Sequence, residues 1–223
     1  ALYGAGNTSP DEQAAYPEDI YSSTMGYDVL NDAQKSLYRK IKAAAHAFYT
    51  GTAAAEGVSY GSDEEKLPCF AVVSNTDSSL SNEDTVKVIS MFRNDNPMYF
   101  FVGNNYLYSM DYDFETEKNY VGAVYIACVE EYTSGTARQA ERRALETQIT
   151  AAREQVEAQD TAWAKARAAN DWLCNSLTYA YDASGNPDDS MASHSIVGAF
   201  DERYCAAAVS YTHLRAHETL ANL

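Results

Sequence analysis

Apolar side chains recur along this chain with two different periods, and the changes of period mark its elements. Residues 1–29 hold neither period. Gly4, Gly6, Asn7, Ser9, Pro10, Pro17 and Gly26 interrupt them, which predicts a loose lead-in segment. From Asn31, a favourable N-cap, Leu37, Ile41, Ala45 and Phe48 fall on one helical face, and Gly51 ends the helix. A polar Gly/Glu/Ser loop is expected next, then a short strand over Cys69–Ser74. Ser81 with Asp84 three residues on is the signature of a capping box. It opens a second helix whose Val86, Ile89 and Phe92 are expected to face the core and which Pro97 cannot continue. Met98–Val102 reads as a strand, Gly103–Asn105 as a turn and Tyr106–Met110 as the returning strand, so a hairpin is predicted there. Tyr120–Val129, rich in β-branched and aromatic residues, reads as a further strand.

The period then changes to 3.6 from Thr136 to Leu177. Leu145, Ile149, Ala152 and Val156 form one stripe, and Trp163, Ala166, Leu173 and Leu177 form another. So long a single helix is unusual, which places a break near Gln159–Asp160. Gly185-Asn186-Pro187-Asp188 is turn chemistry. The predicted fold class is α+β: a helix-plus-antiparallel-sheet module over residues 30–133, then a helical start to a second domain over residues 134–207.

Composition narrows the partners. A formal net charge of −16 repels phosphate backbones and anionic membrane surfaces, so neither nucleic acid nor membrane insertion is expected. No apolar run approaches the roughly 20 residues that span a bilayer. The four cysteines, Cys69, Cys128, Cys174 and Cys205, contain no CxxC and no zinc-type spacing with histidine, and no glycine-rich phosphate loop is present, so neither a metal nor a cofactor is implied. Cys69 and Cys128 fall in strand-like runs and Cys174 in a helical one, where buried free thiols are expected. The adjacent acids Glu130-Glu131 and Asp188-Asp189 point different ways and read as solvated rather than as an acid–base pair.

Val209–Thr219, VSYTHLRAHET, matches one translated frame of a transposase sequencing adapter over all eleven positions. Residues 208–223 are therefore expected to be an artefactual tail, packing poorly, and His213 and His217 carry no argument for catalysis. The same reading expects a chain from an assembled, metagenomic fragment, truncated at about Ala207.

Three stretches resemble the transglutaminase-like proteins that Gram-positive gut bacteria export. Asn94-Asp95-Asn96-Pro97-Met98-Tyr99-Phe100-Phe101 is similar to a region that precedes the family's catalytic domain. Ala169-Asn170-Asp171-Trp172-Leu173, followed by Leu177-Thr178-Tyr179 and Tyr181-Asp182, is similar to the helix that opens that domain. His194-Ser195-Ile196-Val197-Gly198-Ala199-Phe200 is similar to the approach to its nucleophile. Their order and spacing, over about residues 30–208, make the set more specific than any one of them.

What the resemblance implies is the helical first half of a transglutaminase-like (papain-like) cysteine domain, secreted or held at the cell surface. Such an enzyme acts on a protein or peptide, including cell-wall or surface protein, by acyl transfer through a cysteine thiolate. The family's nucleophile stands at a helix N-terminus within VCEGYA, with a histidine and an aspartate downstream. Cys205 lies close to that register but is followed by Ala206-Ala207 rather than Glu-Gly-Tyr. Either Cys205 is the nucleophile or the nucleophile followed Ala207. On both readings the chain as written is expected to be inactive. His194 either orients the active-site loop or is a hydrogen-bonded structural residue. The alternative function is a non-catalytic surface-binding or adhesion module that keeps the fold.

Overall fold

The computed structural model describes residues 3–4, 16–61, 65–74, 80–188, 190, 194–202 and 204–205. The predicted tail lies outside them. The fold is α+β and divides into two compact units, residues 1–140 and 141–223, a boundary somewhat later than the predicted 133/134.

In the first unit, β1 (Tyr3–Gly4) is followed by a 3-10 turn at Pro17–Tyr21 and by α1 (Met25–Asp28). α2 (Asp32–Thr50), β2 (Glu56–Tyr60), β3 (Glu65–Ser74), α3 (Asn82–Asp95), β4 (Val102–Asp113) and β5 (Lys118–Cys128) complete it. The sheet order is β1-β3-β5-β4, with β2 also on β3. All pairings are antiparallel except the short β1–β3 contact.

Both predicted caps form. Asn31 and Ser81 each accept from the backbone N–H three residues on, and Gln34 and Asp84 reach back to close the boxes. Each such cap contributes ~1 kcal/mol. Leu37, Ile41, Ala45 and Phe48 are buried as their spacing requires.

Several expectations are corrected. Residues 56–60 are a strand rather than a loop, paired to β3 from Glu56↔Cys69 to Tyr60↔Glu65. Val86 is exposed and Val88 takes its place in the core, a shift of half a helical turn. Met98–Phe101 is not a strand. It is a pair of tight turns, with Tyr99 N–H on Asn96 O at 3.1 Å and Val102 N–H on Tyr99 O at 3.0 Å. All four side chains are buried, which a period of 2 would not give. Their rings join Phe48, Phe70 and Phe92 in one aromatic core, with Phe48–Phe101 and Phe70–Phe101 centroids at 5.0 and 5.1 Å.

The hairpin is displaced as well. Gly103–Asn105 lies inside β4 at a register shift, and the chain reverses instead between Asp113 and Lys118. That turn has no glycine. Asp113 builds it by accepting from Glu115 N–H and Thr116 Oγ1, and Glu117 takes the left-handed conformation at φ 56°.

The lead-in is likewise more ordered from Tyr16 onward than predicted. Asp95, buried, accepts from Gly26 N–H, Tyr27 N–H and Tyr38 Oη at 2.9, 2.8 and 3.1 Å. It thereby supplies the acceptor that the orphan donors of the α1 N-terminus need. Gly26 is required there, because a Cβ would sit 2.9 Å from the Asp95 carboxylate and from Met91 Cβ.

The fully buried Arg138 closes the other end of α2. Its guanidinium donates to the carbonyls of Phe48, Gly51, Ala53 and Tyr132 and lies 3.4 Å from the Phe48 ring centroid.

The helical stretch breaks where expected, into α4 (Gly135–Glu157) and α5 (Ala162–Ser176), with Thr161 capping the second helix through Ala164 N–H. Leu145 and Ile149 are buried, whereas Trp163 is exposed. Among the described residues no helix is long and apolar enough to cross a membrane.

Candidate functional site

The second unit contains the predicted site residue. α5 ends at Leu177, whose extended backbone leads directly into β6 (Thr178–Tyr179). Asp182 then organises a turn, accepting from the N–H groups of Ser184 and Asn186, both at 2.8 Å. These backbone donors, Asn186 foremost, hold its carboxyl below the usual range. The turn returns the chain so that Pro187 bridges to Tyr181.

A short helical segment follows, in which Ser195 Oγ accepts from Gly198 N–H at 3.2 Å and Val197 is buried. It runs into a π-helical turn at Gly198–Glu202. There Phe200 stacks on Trp172 of α5, with centroids 5.0 Å apart and planes 29° from parallel. The chain then enters β7 (Tyr204–Cys205), which pairs in parallel with β6 as Thr178↔Tyr204 and Tyr179↔Cys205.

The second and third of the resembling stretches are thus neighbours, and Cys205 lies on a strand paired with Tyr179. His194, at the start of the approach segment, is exposed. The first stretch has structural work of its own in the other unit. Asp95 caps α1, and Asn96 Nδ2 donates to Tyr38 Oη and to Phe92 O at 2.7 and 2.8 Å, while its aromatic residues fill the core.

The remaining thiols separate by environment. Cys69 and Cys128 are buried on adjacent strands. Burial pushes their thiols up to about 11 and about 12, in Cys128 against the opposing pull of Arg138. A thiol held protonated in this way is not a nucleophile at neutral pH. Cys174, expected to be buried, is instead exposed on α5: the helix carries no buried side chain, so its apolar stripe does not enclose that position.

A second polar group, which periodicity does not reveal, surrounds His46. Buried Glu18 accepts from His46 Nδ1 at 2.6 Å and from Tyr99 Oη at 2.9 Å. Tyr16 stacks on the His46 ring at 3.7 Å, and Lys42 pairs with Asp19 at 2.8 Å. Burial, and then the Glu18 charge, hold the Tyr99 hydroxyl well above the usual range. Every group here is committed to another, so the cluster reads as a clamp that fixes Tyr16–Tyr21 to α2. The only sequence sign of it is a histidine and a lysine on the apolar side of that helix.

Among the described residues no cluster of three or more His, Cys, Asp or Glu side chains is placed to hold a metal ion. No family model, curated protein or solved structure matches the chain.

Proposed function

We propose that the chain is part of an exported transglutaminase-like cysteine enzyme, a protease, amidase or protein crosslinker acting on a protein or peptide at the cell wall or surface. The observation that supports this reading is the β6–β7 pairing together with the Trp172–Phe200 stack. These contacts put the second and third resembling stretches side by side, with Cys205 on the strand that follows.

In this chemistry a cysteine thiolate attacks the carbonyl carbon of a glutamine side chain or a peptide bond. The C–N bond of the tetrahedral intermediate breaks as a histidine protonates the departing amine, and water or a second amine resolves the thioester. Within the chain the candidate nucleophile is Cys205, and the resemblance calls for a histidine and an aspartate as its partners.

Such a catalytic unit acts as a set, and losing several of its members leaves little beyond binding. The test compares the chain with a version extended along the source gene, assaying thiol-dependent ammonia release from a glutamine peptide and peptide cleavage. Activity only in the extended protein supports the reading. Activity here that Cys205→Ala abolishes makes Cys205 the nucleophile. An extension without cysteine, histidine and aspartate overturns the enzyme reading.

A further inference from the structure

β4 forms an edge of the sheet in the first unit, pairing with β5 on one side and with no other described strand. Tyr106, Tyr108, Met110 and Tyr112 follow one another along it at every second residue, and Phe114 continues the series into the turn. Tyr108 lies opposite Val124 and Met110 opposite Val121, both buried, so this stripe prolongs the core face of the sheet. It is nonetheless open to solvent: Tyr108, Met110 and Tyr112 are 44–50% exposed and Phe114 is 87% exposed. Of the positions that alternate with the stripe, Leu107 and Ser109 are uncharged and Asp111 and Asp113 are acidic; Glu115 and Glu117 extend the charge through the turn, and Lys118 is the only Lys or Arg between Val102 and Cys128.

An edge strand offers unpaired backbone donors and acceptors that a further strand can complete. Charge and ring geometry decide what that strand is. A second copy of this chain would bring the same acids against themselves, and nucleic acid is repelled by the net charge of −16. A flat polysaccharide needs coplanar rings, whereas Tyr112 and Phe114 stand at 84° to each other.

We propose that β4 binds an extended basic peptide segment as an added strand. Its apolar side chains lie on Tyr108, Met110 and Tyr112, and its alternate Lys or Arg side chains face Asp111, Asp113, Glu115 and Glu117. This inference is independent of the reading given for the second unit.

The test uses the full chain and a fluorescent twelve-residue peptide alternating Lys with Val and Ile, followed by anisotropy. Saturable binding is expected, weakening severalfold between low salt and about 0.3 M as exposed charges are screened. A version with Glu for Lys should not bind. N-methylation of alternate amides, which removes the donors of an added strand, should weaken binding about tenfold, and so should Glu115→Lys with Glu117→Lys. Thermal melts matching the parent establish that the variant is folded, and Tyr112→Ser provides a second, uncharged variant with the same expected direction. Equal binding of the acidic peptide, indifference to N-methylation, or indifference of both variants overturns the proposal. Binding of soluble glycan chains that Tyr112→Ser abolishes, with no peptide binding, replaces it with a sugar platform.

Discussion

The two units use similar local signals and reach different degrees of enclosure. α2 and α5 both begin at an oxygen-bearing N-cap, Asn31 and Thr161, and both carry an apolar stripe. α2 buries Leu37, Tyr38, Ile41, Ala44, Ala45, Phe48 and Tyr49 against the sheet and α3, whereas α5 has no buried residue and exposes Trp163. Capping and periodicity make a helix, but only an opposing layer converts its stripe into a core. In the first unit that layer is the aromatic turn Met98–Phe101 with β3 and β5. In the second, the buried hydrophobic residues among those described are Leu145, Ile149, Ala180 and Val197.

Thiol chemistry gives the largest contrast. With iodoacetamide at neutral pH, Cys174 should be alkylated at least about a hundredfold faster than Cys69 or Cys128, which are buried and held protonated. Peptide mass mapping reads this out, and rapid labelling of Cys69 would mean that the sheet is not closed.

Core truncation comes next. Phe48→Ala or Phe101→Ala should cost about 3–5 kcal/mol in urea unfolding, whereas Trp163→Ala should cost under about 1 kcal/mol. Equal losses would break the contrast between the units. Arg138→Met should cost about 3 kcal/mol, because the carbonyls of Phe48, Ala53 and Tyr132 lose this donor while Gly51 keeps only Gln139.

Alkali should act in the same direction on the first unit. In the unfolded chain the two buried thiols ionise near 9; in the fold they stay protonated to about 11 and about 12. Between those values the unfolded chain binds fewer protons. Stability is therefore full below about pH 9 and falls as pH rises toward 11–12. Tyr38 and Tyr99, also raised by burial, add to the fall above their ordinary range. Replacing both cysteines with Ala should flatten the thiol part of the decline in urea titrations at pH 8 and 10.5.

The smallest effect sharpens the hairpin. Glu117→Gly should stabilise the protein by about 1 kcal/mol by removing the left-handed penalty at φ 56°, and unchanged unfolding would argue against that turn.

How much of this was legible follows from the range of each interaction. The capping boxes at Asn31 and Ser81, the break at Thr161 and strand β5 are written in residues a few positions apart, so the sequence reading found them. The family resemblance, not the periodicity, supplied the candidate Cys205 and the stretches around Trp172 and Phe200, and only the fold placed β6 beside β7 and Phe200 on Trp172.

The sequence by itself therefore determined α2 to α5, the caps at Asn31 and Ser81 and the α+β class, because each hydrogen bond and period involved is local. The tertiary structure decided the rest. It turned Met98–Phe101 from an apparent strand into a core turn, because four successive apolar residues fit either conformation until Phe48 and Phe70 surround them. It left Cys174 exposed, because α5 buries none of its residues fully. It made Asp95, Glu18 and Arg138 structural, because their partners lie up to ninety residues away, beyond the reach of any local pattern.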